Sequence, residues 1–176
     1  MLGALLNSSI PRLVPIGLIL LALQKTLFVE LQPFGVIIQV VMAFAASAGA
    51  VGGPERGAMV GFVMGILFDL AIGTPLGSSA IAMGIAGYVA GWADIIRIDT
   101  TLWMAAIFVG LGTGIGEASV PVIKRFTGEE DAFAPELVRI VPVVAVSAAA
   151  LSIVLVPLAR WSLSLSPPEW KVPADA

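Results

Sequence analysis

Three ionisable residues lie inside otherwise apolar stretches of this chain: Lys25, Asp69 and Glu117. Carboxylate and ammonium groups at such positions can form an ion pair, transfer a proton or bind a polar ligand. The full sequence has no cysteine and no histidine, which excludes disulfides, thiolate or imidazole catalysis and His/Cys metal sites. Any proton chemistry must then use carboxylates, lysines or the single tyrosine. Asp69 and Glu117 could form a carboxylate pair, but no further element of a catalytic motif accompanies them, so we expect a protein without enzymatic activity and without a cofactor.

The composition places these three residues in a membrane domain. The 176 residues are 59% hydrophobic and 12% charged, with a mean hydropathy of +1.03, whereas an ordinary soluble domain is about 45–50% apolar and about 25% charged. This composition and the net charge of −3 exclude a soluble enzyme and a nucleic-acid-binding protein. The chain is predicted to be an all-α integral membrane protein.

Charged and turn residues divide the chain into six apolar segments. A helix that crosses a membrane needs about 20 residues, so we expect a compact bundle of about six transmembrane helices. The segments lie at about 13–31, 34–51, 57–72, 78–96, 101–123 and 137–161. Residues 1–165 then form one transmembrane domain, and the proline-rich residues 166–176 are expected to be a disordered cytoplasmic tail.

The basic residues predict the orientation of this bundle. If the N-terminus is cytoplasmic, five basic residues lie inside and three lie outside; these are Arg12, Arg56, Arg97, Arg160 and Lys171 against Lys124, Arg125 and Arg139. Trp92, Trp103 and Trp161 fall at the same cytoplasmic interface, which tryptophan favours. We therefore expect both termini in the cytoplasm.

The depth of the three ionisable residues suggests how they are paired. At 1.5 Å per helical residue, Lys25 and Asp69 lie about 18 Å and Glu117 about 24 Å from the inner ends of their helices, in the outer half of the bilayer. An unpaired charge at that depth is unfavourable. One interpretation is a structural Lys25–Asp69 ion pair with Glu117 reaching outward. The other is a polar pocket, or a partner-binding site, open to the outer face.

The third segment carries the most regular local pattern. Gly57, Gly61, Gly65 and Asp69 recur every four residues and so share one helix face. Glycines on one face allow another helix to approach closely. That helix belongs either to the same bundle or to a partner protein.

Residues 57–91 resemble the family of the bacterial rod shape-determining protein MreD. The resemblance consists of a glycine-rich helix that ends in an Asp-Leu pair, a Pro-Leu-Gly turn and a second helix with a Gly-Tyr pair. The matching positions are Gly61, Gly65, Asp69, Pro75, Leu76, Gly77, Gly87 and Tyr88. The rest of the chain matches in total length and as hydrophobic helices.

This resemblance implies a multi-pass protein of the bacterial cytoplasmic (inner) membrane that acts as a non-catalytic scaffold of the cell-elongation complex. Such a protein would bind MreC and support peptidoglycan synthesis and cell shape, in an assembly with RodA, the elongation transpeptidase and MreB. We expect Gly57, Gly61 and Gly65 to form the MreC-docking face, oriented by Asp69. The family is also similar in fold to the six-helix S-components of energy-coupling-factor transporters, so the alternative is a substrate-binding subunit of a vitamin transporter.

Overall fold

A computed structural model describes residues 10–30, 32, 35–96, 102–126 and 137–163. These residues form six helices of 13 to 26 residues and one helix of four residues, and they contain no strand. The helices are α1 (Ile10–Thr26), α2 (Val40–Gly52), α3 (Pro54–Ile72), α4 (Ser78–Ala90), α5 (Trp92–Ile95), α6 (Leu102–Phe126) and α7 (Leu137–Ser162). The predicted all-helical fold is confirmed for this part of the chain.

Two predicted boundaries are wrong. The second segment becomes helical only at Val40, because Gly35 has a φ of +75° and residues 36–38 are β-branched, which lowers their helix propensity. The fourth segment divides into α4 and α5 at Gly91. The predicted tail at 166–176 and most of the acidic loop at 124–136 lie outside the described residues.

Helix α2 is the centre of the bundle. Every residue from Val40 to Ala50 is buried, because α2 packs against α3, α4, α6 and α7. A helix that is apolar on all sides is stable only when it is surrounded by protein or lipid. The many alanines of this helix, together with Ser47 and Gly49, keep its diameter small enough for several neighbours.

The helices α3 and α4 make the most extensive pair, and α4 also packs on α6, which in turn packs on α7. Helix α1 packs mainly on α2 and α3 and so lies at the periphery. The contacts also define one end of the bundle. Gly52 lies beside Leu163, and Gly91 lies against Pro54, so the α2–α3 turn, the α4–α5 junction and the end of α7 share one end.

By length and hydropathy, two helices of the described chain could cross a membrane, Trp103–Phe126 and Leu137–Ser162. Helix α2 has 13 residues, which is shorter than the roughly 20 residues that a hydrocarbon core requires. Helix α3 is 19 residues long but carries three charged residues, Glu55, Arg56 and Asp69. Membrane association thus has support from two helices, and six crossing helices remain a prediction.

Candidate functional site

The glycine face of α3 is covered by the chain's own helix α4. Gly57 lies against the backbone of Gly87, and Gly61 lies against the backbone of Met83. A Cβ atom added to either glycine, or to Gly65, would overlap backbone atoms of α4. This corrects the expected MreC-docking face, because the three glycines pack inside the bundle and a partner helix cannot reach them.

The Asp69 side chain forms a cap on helix α4. It is 1% exposed and accepts hydrogen bonds from the Thr74 hydroxyl at 2.7 Å, the Gly77 amide at 2.8 Å and the Ser79 amide at 3.2 Å. The first amide groups of a helix have no partner within that helix and carry a partial positive charge. They therefore stabilise the Asp69 carboxylate, which has no basic partner among the described residues.

The residues between α3 and α4 form the tight turn that this cap requires. Gly73 and Gly77 have φ values of +78° and +99°, which are strained for residues with a Cβ atom. The Gly73 amide also donates to the Asp69 carbonyl at 2.8 Å. Pro75 and Leu76 are exposed at the tip of the turn. Most of the motif that resembles the MreD family is thus a helical hairpin closed by Asp69.

On helix α1, the buried polar residue is Gln24, whereas the neighbouring Lys25 is exposed. Successive helical residues are about 100° apart, so only one of the two can face the core. The Gln24 amide donates to Gln39 Oε1 at 2.9 Å, and its own oxygen accepts from the Val41 amide at 3.1 Å. The expected Lys25–Asp69 pair is therefore replaced by a cap on α2 and a cap on α4.

The third ionisable residue, Glu117, lines a cavity of about 260 Å³ at the end of the bundle that holds the α3–α4 turn. Its Oε2 atom is buried and has no hydrogen-bond partner among the described residues. The cavity wall has both polar and apolar residues: Gln39, Thr74, Ser78, Ser79 and Lys124, with Met42, Phe68, Ala82, Met83, Val120 and Ile123. Glu117 therefore shares this cavity with Thr74 and Ser78, whose hydroxyls donate to Asp69. The basic residue in the cavity wall is Lys124, whereas the sequence had suggested Lys25.

An open apolar groove of about 510 Å³ lies on the other side of α3 and α4. Its walls include Met59, Phe62, Ile81 and Tyr88, each about half exposed or more, and its lining includes Gly84. A Cβ atom added to Gly84 would meet only the Ala58 carbonyl oxygen, at 3.6 Å, which is ordinary contact. Internal packing therefore explains Gly57, Gly61 and Gly65, but it does not explain Gly84.

Sequence reasoning missed most of the polar residues around the cavity. Thr74 lies within the glycine-rich turn, and Ser78 and Ser79 follow it. The first amides of α2 and α4 needed acceptors from outside their own helices. Counting these amides would have shown that acceptors were needed, but not that Gln24 and Asp69 supply them. A comparison of the chain with protein families, curated proteins and solved structures finds no match.

Proposed function

We propose that this protein is a non-catalytic scaffold in the bacterial inner membrane that binds the transmembrane helix of MreC and so supports peptidoglycan synthesis and cell shape. The chain would cross the membrane with all six long helices, both termini being cytoplasmic. RodA, the elongation transpeptidase and MreB would be further members of the same assembly. The proposal rests on the resemblance of residues 57–91 and on one structural observation, the open groove.

The groove supports this proposal because its shape suits a helix. The lining includes three small residues, Ala58, Ala80 and Gly84, and larger apolar residues such as Met59 and Phe62. Small residues let two helix backbones approach in a membrane, where van der Waals packing drives association. In this proposal MreC binds in the groove and not on the face formed by Gly57, Gly61 and Gly65.

Replacement of Gly84 by leucine tests this proposal. The longer side chain would fill the groove while the fold is kept, because nothing but the Ala58 oxygen lies near the new Cβ atom. We expect at least tenfold less MreC to be retained when the tagged variant is purified in mild detergent with co-expressed MreC, a loss of about 1.4 kcal/mol in binding.

Ala150→Leu is the matched control, since Ala150 is an exposed residue of α7 and the substitution adds a similar volume. This variant should retain as much MreC as the unchanged protein. If Gly84→Leu elutes as a folded monomer and still captures MreC like the control, the groove is not the docking site.

The second candidate, a substrate-binding subunit of a vitamin transporter, is favoured by the cavity beside Glu117. Pockets that hold small molecules combine apolar walls with a few converging polar groups, and this cavity has both. Purification with a bound vitamin and an energy-coupling subunit, but without MreC, would place this candidate first.

A further inference from the structure

We propose that the cavity beside Glu117 binds a primary ammonium group, carried either by a small soluble amine or by the headgroup of phosphatidylethanolamine. This inference concerns a ligand and does not depend on the scaffold function. It rests on three observations: a buried Glu117 oxygen without a hydrogen-bond partner among the described residues, the direction of the hydrogen bonds around the cavity, and the size of the cavity.

The Glu117 carboxylate is the first observation. Its Oε2 atom is buried without a hydrogen-bond partner among the described residues, and the residue lies in the middle of a helix that is apolar enough to cross a membrane. Buried carboxylates are costly unless a cation or several donors compensate them. The Lys124 side chain lies on the same cavity wall and attracts Glu117 electrostatically, but it does not donate a hydrogen bond to Oε2. Rotation about the last side-chain torsion of glutamate is soft, so either oxygen can turn toward a donor in the cavity.

The hydroxyls of the cavity wall are the second observation. Thr74 Oγ1 donates its proton to Asp69 Oδ1 at 2.7 Å, and Ser78 Oγ points to the same oxygen at 3.5 Å. A hydroxyl has one proton and two acceptor lone pairs. Because Asp69 takes the protons, the hydroxyl oxygens of Thr74 and Ser78 remain acceptors on the cavity wall.

The ligand that fits these groups is rich in donors and positively charged. A primary ammonium group has three donors and no acceptor, which matches a carboxylate and two hydroxyl oxygens. A quaternary ammonium group has the same charge but no N–H donor. The expected specificity is therefore for primary over quaternary ammonium, and a carboxylate or phosphate alone should not bind at Glu117.

The size of the cavity limits the body of the ligand. Its volume of about 260 Å³ is several times the roughly 30 Å³ that one water occupies, and it lies below the range of about 300–1,000 Å³ for pockets of drug-sized ligands. Phe68, Met83 and Val120 supply apolar contacts. An ethanolamine unit fits this space, with or without the phosphate and acyl chains of a lipid outside it.

The test measures thermal unfolding of the full-length protein in detergent with added ethanolamine or choline at equal concentrations and ionic strength. We expect ethanolamine to raise the Tm and choline to leave it unchanged. Glu117→Gln, which keeps the size of the side chain, should raise at least tenfold the ethanolamine concentration needed for the same increase in Tm. Glu55→Gln is the matched control, because Glu55 is exposed at the opposite end of the bundle and its loss should change nothing.

The source of the ammonium group is identified by a second pair of additives, phosphatidylethanolamine and phosphatidylcholine with the same acyl chains. Stabilisation by the first lipid alone, at lower concentration than ethanolamine, indicates a lipid headgroup. A response to ethanolamine without a lipid preference indicates a soluble amine. If Glu117→Gln does not fold, Val120→Phe narrows the cavity without altering the carboxylate and should abolish the response.

Two results would overturn the proposal. One is equal stabilisation by ethanolamine and choline, or by neither, in the unchanged protein. The other is an ethanolamine response of folded Glu117→Gln or Val120→Phe that equals the response of the Glu55→Gln control. MreC capture is measured separately, so failure here leaves the scaffold function untouched.

Discussion

A single carboxylate, that of Asp69, shows how this bundle accommodates charge at the scale of one residue. It has no basic partner among the described residues, and backbone amides and hydroxyls of the next turn take that place. Hydrogen bonds to an ionised group contribute about 1.5–3 kcal/mol each at most, about twice as much as neutral ones. Asp69 is therefore a structural residue of the hairpin, whereas Glu117 keeps a buried oxygen without a hydrogen-bond partner among the described residues.

Asp69→Asn should lower the free energy of unfolding by about 1–3 kcal/mol, because the amide presents its own donors to the amides of Gly77 and Ser79. Denaturant unfolding of the purified protein in mixed detergent micelles measures this change.

Lys25→Met is the control for the ion pair that the sequence suggested. Since Lys25 is exposed, its replacement should change stability by less than about 0.5 kcal/mol. A loss equal to that of Asp69→Asn would show that Lys25 does compensate Asp69.

At the scale of elements, α2, α3 and α4 meet through backbone rather than through side chains. Gly57 contacts both Gly49 and Gly87, so the three helices converge at three glycines. Close approach gains dispersion energy over many atom pairs, and it leaves no room for a methyl group at this point. Gly84, one turn before Gly87 on α4, faces the groove and has that room.

Replacement of glycine by alanine should therefore have opposite effects on the free energy of unfolding at Gly84 and Gly57. Gly84→Ala should stabilise the protein by up to about 1 kcal/mol, because alanine has the higher helix propensity. Gly57→Ala should destabilise it by about 1–3 kcal/mol or more, because overpacking displaces the backbone.

Thermal unfolding of both variants in one detergent tests this pair. Gly61→Leu, a larger change on the covered face, should yield little folded monomer at all. Equal effects of Gly57→Ala and Gly84→Ala would contradict the packing described here.

The number and approximate positions of the long helices were predictable from the sequence, whereas the helix against which each one packs was not. Apolar runs and Gly/Pro breaks identified all six long helices, but an apolar run does not show where a helix begins, which is why α2 starts at Val40 instead of residue 34. The periodicity of Gly57, Gly61 and Gly65 showed that a helix must approach. It could not show that this helix is α4, because packing partners depend on three-dimensional contacts.

At the scale of the whole molecule, the helices have two well-separated ends. The α2–α3 turn lies at the end where Gly52 meets Leu163, and the cavity with Thr74 and Glu117 lies at the other. In the orientation proposed above, the cavity faces the periplasm. A polar pocket at this end was one of the two interpretations of the sequence, but its wall was not predictable, since it combines residues from four of the apolar segments with Thr74 of the α3–α4 turn.

Matched cysteine variants can test the orientation, because the chain has no native cysteine. Glu30 and Glu55 are both exposed and follow α1 and begin α3, respectively. In intact spheroplasts, a membrane-impermeant maleimide should label Glu30→Cys, and it should label Glu55→Cys only after the membrane is opened. The reverse pattern would place both termini outside.

In the membrane topology proposed above, the hydrogen bonds of Asp69 also bear on how the nascent chain would enter the bilayer. Its partners lie five to ten residues further along the chain, so they leave the ribosome almost together with it. During such an insertion the carboxylate would be compensated within a pair of helices, before α6 and α7 have been synthesised. An ion pair with a helix distant in sequence would instead leave the carboxylate uncompensated in the lipid until that helix had packed against it.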